Sequence, residues 1–206
     1  LTQSDIDSVQ QALVDGWISG DGPVVRQMEQ ALAAFTGVKH GVAVSTGTSA
    51  CDLLNETLEI QPGSEMLAPA TTIISTVSHA VRRGAKLRLV DADPLTWCMN
   101  AESAVEKLSP DLCGAWAVHL FGLPVDLVPI LTRAESLGVT VFEDAAEAVG
   151  LNYAGQPCGG LAQAGIFSFY ANKTVTAGEG GCVVTDDSSI ADRVRSLRNL
   201  CFDPHQ

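Results

Sequence analysis

The stretch VTVFEDAAEAVG, residues 139–150, decides the fold. It runs apolar through Phe142, meets the carboxylates Glu143 and Asp144, and then turns small and mostly apolar. A strand with one wet face alternates polar and apolar residues, whereas a near-continuous apolar run suits a strand buried on both faces. Such strands belong to mostly parallel sheets covered by helices. KLRLV, residues 86–90, reads the same way.

Outward from this stretch, helical and strand patterns alternate. Residues 4–15 place Ile6, Val9, Leu13 and Val14 on one helical face, and a second helix starts near Pro23 and stops at Gly37. GVAVS is a short strand ending at Ser45, and STGTSACDLLNETLEI follows as a turn and a helix. EMLAPA and LCGAWAVHLFG read as strands, and TTIISTVSHAVRRGA and residues 101–108 and 126–138 read as helices. After Gly150 come a turn-rich excursion, NYAGQPCGG, the strands GIFSFY and GGCVVTDD, and the helix SSIADRVRSLRNL. No repeat, low-complexity linker or domain boundary interrupts this order. The expectation is an α/β fold over residues 1–206 with a mostly parallel sheet between helices.

Composition narrows the function classes. The net charge is −12 and the few basic residues form no long run, which argues against nucleic acid and anionic membrane surfaces as partners. The six cysteines form no CxxC pair and the histidines no HxxxH spacing, so a metal site and a disulfide framework are both poor readings. Reduced thiols and a start, LTQSDIDSVQQ, that lacks signal-peptide character point to a cytoplasmic protein. Apolar stretches are broken before they reach spanning length, so no membrane segment is expected. The chain starts without methionine and stops at DPHQ, as a fragment of a longer chain does.

In a parallel sheet, ligands bind beyond the carboxyl ends of the strands. Of the four lysines, Lys39 and Lys86 precede strands and Lys107 ends a polar helical stretch, whereas Lys173 follows the strand GIFSFY. Position alone admits two readings of Lys173: a solvated turn charge, or an amine that attacks a carbonyl to form a Schiff base. Asp144 ends its strand either as a helix cap or as partner to a buried cationic ring. Pyridoxal phosphate needs such a partner, because an acidic residue keeps its pyridine nitrogen protonated and makes the ring an electron sink. STGTSA, residues 45–50, contains Gly47, Thr48 and Ser49 between a strand and a helix. It is either a plain turn capped by Ser45 or Thr46, or a phosphate site built from helix N-terminal amides. Ser168, on the last strand before Lys173, has a hydroxyl within reach of a phosphate or is an ordinary strand serine.

Together GWISGDGP, STGTSA, PGSEMLAPATT through GAKLRLVDADP, VHLFGLP, FEDAAEAVG and SFYANKTVTAGEGGCVVTDD resemble, in order, the sugar aminotransferases of the DegT/DnrJ/EryC1/StrS family. The resemblance implies the fold-type-I architecture of aspartate aminotransferase, with pyridoxal 5'-phosphate as cofactor. It further implies amino transfer from glutamate to a nucleotide-linked keto sugar. On it, Lys173 holds the cofactor and moves the proton, Asp144 pairs with the pyridine nitrogen, and Gly47, Thr48 and Ser168 hold the phosphate, with Ser49 of the same turn also cofactor-binding. Glu147 falls near the cofactor's phenolic oxygen and is most similar to the perosamine-synthase-type subgroup. Two anions there repel, so Glu147 is expected to be protonated or bridged by water. Ile73 stands where members often carry an aromatic residue stacked on the ring, and packs there with less quadrupole contact.

Family members are nearly twice as long, with a smaller C-terminal domain and a partner subunit that completes the site. Residues 1–206 therefore correspond to the cofactor-binding large domain, expected to work as a homodimer. The rivals are another fold-type-I chemistry, such as dehydration or desulfuration, and a non-catalytic assembly subunit. His119 is read as a packed histidine near the cofactor, and Trp17 either lines a substrate pocket or staples the first helix.

Overall fold

The computed structural model describes residues 2–203, so residue 1 and the close at residues 204–206 lie outside the described residues. Helix α1 (Gln3–Val14) starts in a capping box, in which the Thr2 hydroxyl accepts the Asp5 amide and the Asp5 carboxylate accepts the Thr2 amide. Helix α2 (Pro23–Thr36) opens on proline and closes on Gly37 at φ 78°, a left-handed cap that glycine adopts without strain. Strands and helices then alternate: β1 (His40–Val44), α3 (Gly47–Thr57), β2 (Glu65–Pro69), α4 (Ser75–Arg82), β3 (Lys86–Val90), α5 (Ala101–Lys107), β4 (Leu112–Val118), α6 (Leu127–Leu137) and β5 (Val141–Asp144). The excursion after Gly150 is a small hairpin, β6 (Asn152–Tyr153) and β7 (Gln156–Pro157). Strands β8 (Ala164–Ser168) and β9 (Gly181–Thr185) and helix α7 (Ser188–Arg198) complete the order.

Seven strands form one sheet in the order β1-β9-β8-β5-β4-β2-β3. The pairs β2–β3, β2–β4, β4–β5 and β5–β8 are parallel, whereas β9 is antiparallel to β8 and to β1. Strand β1 therefore points the same way as β8, and the carboxyl ends of β1, β2, β4, β5 and β8 share one edge. The reversed β9 brings its first residue to that edge. A Cβ on Gly181 would stand 2.4 Å from the Thr46 carbonyl, so only glycine lets these backbones approach.

Successive strand residues feed cores on opposite faces, because side chains alternate across a sheet. Met66, Trp116, Phe142 and Ile166 face α3, α4 and α7, where they meet Cys51, Leu54, Ala80 and Val194. Leu67, Ala115, Ala117 and Val141 face α5 and α6, where they meet Ala104, Ile130 and Ala134. Trp116 and Phe142 meet edge-on with ring centroids 5.4 Å apart, a contact of ~1 kcal/mol beyond area burial. The Trp116 indole N–H donates to Asn55 Oδ1 at 2.9 Å, so the one polar atom of the ring is satisfied inside the core.

Two expectations change. KLRLV is not buried on both faces: β3 is the sheet edge, Lys86 and Leu89 are exposed, and only Val90 is buried. An apolar run reports what a strand is made of, not whether another strand lies beyond it. The first helix forms, but none of its residues is buried within the described chain. Its Val9 and Leu13 instead border an open groove with Trp17, Ile18 and Val24. Trp17 thus belongs with the first helix and not with the cavity at the sheet's carboxyl edge.

Candidate active site

At the carboxyl edge, the turn after β8 carries Lys173, whose amide donates to the Tyr170 carbonyl at 2.9 Å. Its side chain is largely buried and its Nζ donates to Glu147 Oε1 at 3.1 Å. Asp144 ends β5, opposite Val118 of β4 and Ile166 of β8. Asp144, Glu147 and Lys173 line one cavity of about 280 Å³, with Thr72, Ile73, His119 and Phe121 among its walls. That is near the lower end of small-ligand sites.

Asp144 is buried, and burial pushes its carboxyl above the ordinary value. Two hydrogen bonds work against that shift: the Ala146 amide donates to Oδ1 at 3.1 Å and the Thr76 hydroxyl to Oδ2 at 2.8 Å. A group in this condition prefers a cationic N–H partner to water. Thr76 is itself held at a hydroxyl–hydroxyl distance of 3.1 Å from Thr72.

For Glu147, burial also pushes the carboxyl up, but the Phe121 amide and the Lys173 ammonium outweigh it and set it below the ordinary value. Its Oε2 accepts the Phe121 amide at 2.8 Å while Oε1 accepts Lys173. The expectation of a protonated or water-bridged Glu147 concerns a neighbouring phenolic oxygen; in this structure the carboxylate is paired with Lys173 instead.

STGTSA folds as a strand-to-helix turn with Thr46 as the cap of α3, its hydroxyl accepting the Ser49 amide at 2.9 Å. That bond takes the Ser49 amide into the cap. Gly47 and Thr48 occupy the first helical positions, where amides have no intrahelical acceptor. Thr48 is exposed, and Gly47 lies so close to Ser168 that a Cβ on it would stand 2.8 Å from the Ser168 Cβ. Gly47, Thr48, Ser49 and Ser168 thus form a turn of small residues along the same edge but do not line the cavity that holds Asp144, Glu147, Ile73 and Lys173. Ile73 is 64% exposed at the cavity wall.

His119 is fully buried, and the Val125 amide donates to its Nδ1 at 3.1 Å. The ring proton therefore sits on Nε2, which donates to Glu143 Oε2 at 3.0 Å. Both ring nitrogens are used inside the protein, as expected of a packed histidine. Glu143 also accepts the amides of Gly159 at 2.8 Å, Leu161 at 2.7 Å and Ala162 at 2.8 Å. It is a buried carboxylate satisfied from four directions. The sequence reading missed Glu143, Thr76 and Phe121. The donors to Glu143, and the Thr76–Asp144 and Phe121–Glu147 pairs, span 16 to 68 positions, and no spacing rule connects them.

All six cysteines are free. Burial pushes the Cys158 thiol to about 11 and the Cys182 thiol to about 12, so neither is a nucleophile near neutrality. Among the described residues no group of histidine, cysteine and acidic side chains is arranged to hold a metal ion. Likewise, no helix among them is long and apolar enough to cross a membrane.

The site fits pyridoxal phosphate on three counts. A buried carboxylate and a lysine amine share one cavity, and a turn of small residues with first-turn amides lies along the same sheet edge. Comparison with known proteins points the same way. The family model of the DegT/DnrJ/EryC1/StrS aminotransferases matches residues 1–206. The chain is 37% identical to GDP-perosamine synthase of Caulobacter vibrioides over 206 residues, which is 100% of this chain and 56% of that protein. It superposes on the crystal structure of the aminotransferase TlmJ from Streptoalloteichus hindustanus with a TM-score of 0.91 and 32% identity, over 96% of this chain and 54% of that one. It superposes on DesI, solved with its TDP-sugar product, with a TM-score of 0.87 and 34% identity, over 96% and 50%. The chain thus spans about half the length of the relatives it matches.

Proposed function

Because the chain belongs to the DegT/DnrJ/EryC1/StrS aminotransferase family, we propose that the whole protein is a pyridoxal-phosphate-dependent aminotransferase that moves an amino group from glutamate to a nucleotide-linked keto sugar. The observation that carries this reading is the meeting of Lys173 and the buried Asp144 in one cavity beyond the carboxyl ends of parallel strands. The names of the relatives support the substrate class and make GDP-perosamine the first amino sugar to test.

When bound, pyridoxal phosphate supplies an electron sink for negative charge that develops on the carbon bearing the amine. Asp144 would pair with the ring nitrogen: burial penalises its uncompensated negative charge, and a protonated ring nitrogen would neutralise it. Lys173 is the covalent anchor and, at Nζ, the group that takes and returns the substrate proton. Gly47 and Thr48 offer first-turn amides to the phosphate, and Ser168 stands beside them. Glu147 holds Lys173 aimed into the cavity until the cofactor arrives. Ile73, at the cavity wall, would offer an aliphatic surface to one face of the ring. The buried, proton-retaining thiols give no support to desulfuration. The uncovered apolar residues of α1 suit an assembly in which a second subunit, or a further domain, covers them. A homodimer in the cytoplasm is the corresponding proposal.

The test is an absorbance spectrum of the full-length protein with added cofactor. A protein-bound band that disappears in Lys173→Ala, and that glutamate converts to the amine form of the cofactor, is expected. No band, or an unchanged band in Lys173→Ala, overturns the reading.

A further inference from the structure

The cavity mouth carries a residue that the roles above do not use. Leu120 to Leu123 close a tight turn in which the Leu123 amide donates to the Leu120 carbonyl at 2.9 Å. Both central residues have positive φ, Phe121 at 54° and Gly122 at 77°. This is the pattern of a type I′ turn, whose first central position favours asparagine, aspartate or glycine. A bulky aromatic there is an outlier that the surroundings must hold in place. They do so through Glu147, whose Oε2 accepts the Phe121 amide while its Oε1 holds Lys173. Yet the ring gains little from the fold, since Phe121 is 70% exposed and lines the cavity. Backbone strain at a residue whose ring is mostly exposed among the described residues is a cost that a contact from outside them can offset.

We propose that Phe121 is a specificity-determining residue whose ring packs against the C–H face of the sugar in the nucleotide-linked substrate. The inference rests on the aminotransferase reading. Asp144 and Lys173 are committed to the cofactor at the inner part of the cavity, so the mouth is left for the substrate. A pyranose presents an apolar C–H face to an aromatic ring, whereas glutamate has no such face. The Glu147 carboxylate accepts the Phe121 amide, so the backbone of this wall is held at the cavity that Lys173 also lines.

The experiment uses Phe121→Asn in the full-length protein. Asparagine tolerates positive φ, so this change relieves the turn and removes only the ring. The bound cofactor is converted to its amine form either by GDP-perosamine or by glutamate, and the concentration dependence of each conversion is followed by absorbance. The expected result is an approximately tenfold loss of apparent affinity for GDP-perosamine with glutamate unchanged, a melting temperature equal to or above the wild type, and recovery in Phe121→Tyr. An unchanged response to GDP-perosamine, or equal losses for both donors, overturns the proposal. A wild-type protein that responds to glutamate but not to GDP-perosamine overturns the sugar assignment and this inference with it. A wild-type protein with no cofactor band overturns the function itself.

Discussion

Thr76, in the first turn of α4, donates its hydroxyl hydrogen to Asp144, the last residue of β5, across 2.8 Å. The contact is held from behind. Asn55 Nδ2 donates to the Thr76 carbonyl at 3.1 Å, and Trp116 donates to Asn55 Oδ1 at 2.9 Å. A line of satisfied buried groups thus runs from the centre of the sheet to the carboxylate at its edge. It sets the direction of that carboxylate before any ligand binds.

Thr76→Val keeps the shape and removes the donor. A buried carboxylate then loses one of two hydrogen bonds, which costs ~2 kcal/mol of stability. Denaturant unfolding should show that loss, and titration with pyridoxal phosphate should show weaker binding because Asp144 is free to turn. Thr76→Ser, which restores the hydroxyl, should recover most of both. A wild-type affinity in Thr76→Val means that the hydroxyl does not orient Asp144.

Asp144 also makes a pH prediction. Burial raises its carboxyl in the folded state above the ordinary 3.8, so the folded protein binds this proton more tightly than the unfolded chain. Stability from this group therefore falls as pH climbs through the interval between 3.8 and the raised value, and the full deficit persists above it. Asp144→Asn should melt higher than wild type at about pH 7 and lose that advantage toward pH 4. A gain of ~1 kcal/mol reads as roughly 2–4 °C in a chain of this size. The same variant should lose amino transfer, a stability–activity opposition expected of a group placed for chemistry. Glu147 has the opposite sign, since its lowered carboxyl stabilises above the ordinary carboxylate range and loses that contribution as pH falls.

What the sequence disclosed follows from what is local. Lys173 and Asp144 stood out because strand ends are marked by nearby punctuation, and a strand's end predicts its place at the edge. The Thr46 cap and the Gly37 stop were legible for the same reason. KLRLV was misread because the order of strands, which makes β3 an edge, is a long-range fact. Phe121 was passed over within VHLFG, since no composition rule reveals a positive φ at an aromatic residue. The four donors of Glu143 come from a histidine 24 positions before it and amides 16 to 19 after it, and only folding brings them together.

That convergence predicts a large effect at Glu143. Glu143→Ala leaves His119 and three amides without their acceptor in a buried site, at ~3–5 kcal/mol. Glu143→Gln keeps one carbonyl acceptor and should cost less. Urea midpoints of the two variants test the order. Equal midpoints for alanine and wild type would show that the 159–162 segment finds other acceptors.

Gly47 gives the sharpest steric test of the phosphate turn. Gly47→Ala drives a methyl to 2.8 Å from Ser168 Cβ and 3.1 Å from its hydroxyl, and neither the α3 start nor the buried end of β8 is free to yield. Overpacking of this kind costs ~1–3 kcal/mol. If the strain displaces the first-turn amides, affinity for pyridoxal phosphate falls roughly tenfold or more. Ser168→Gly in the same chain removes both close atoms and leaves only the Ser168 Cα position at 3.4 Å, an ordinary contact. The double variant should therefore regain stability. Its cofactor affinity should stay below that of wild type, because the Ser168 hydroxyl is gone. Full recovery of affinity in the double variant means that Ser168 only fills space, while no loss in Gly47→Ala alone means that this turn does not hold the phosphate.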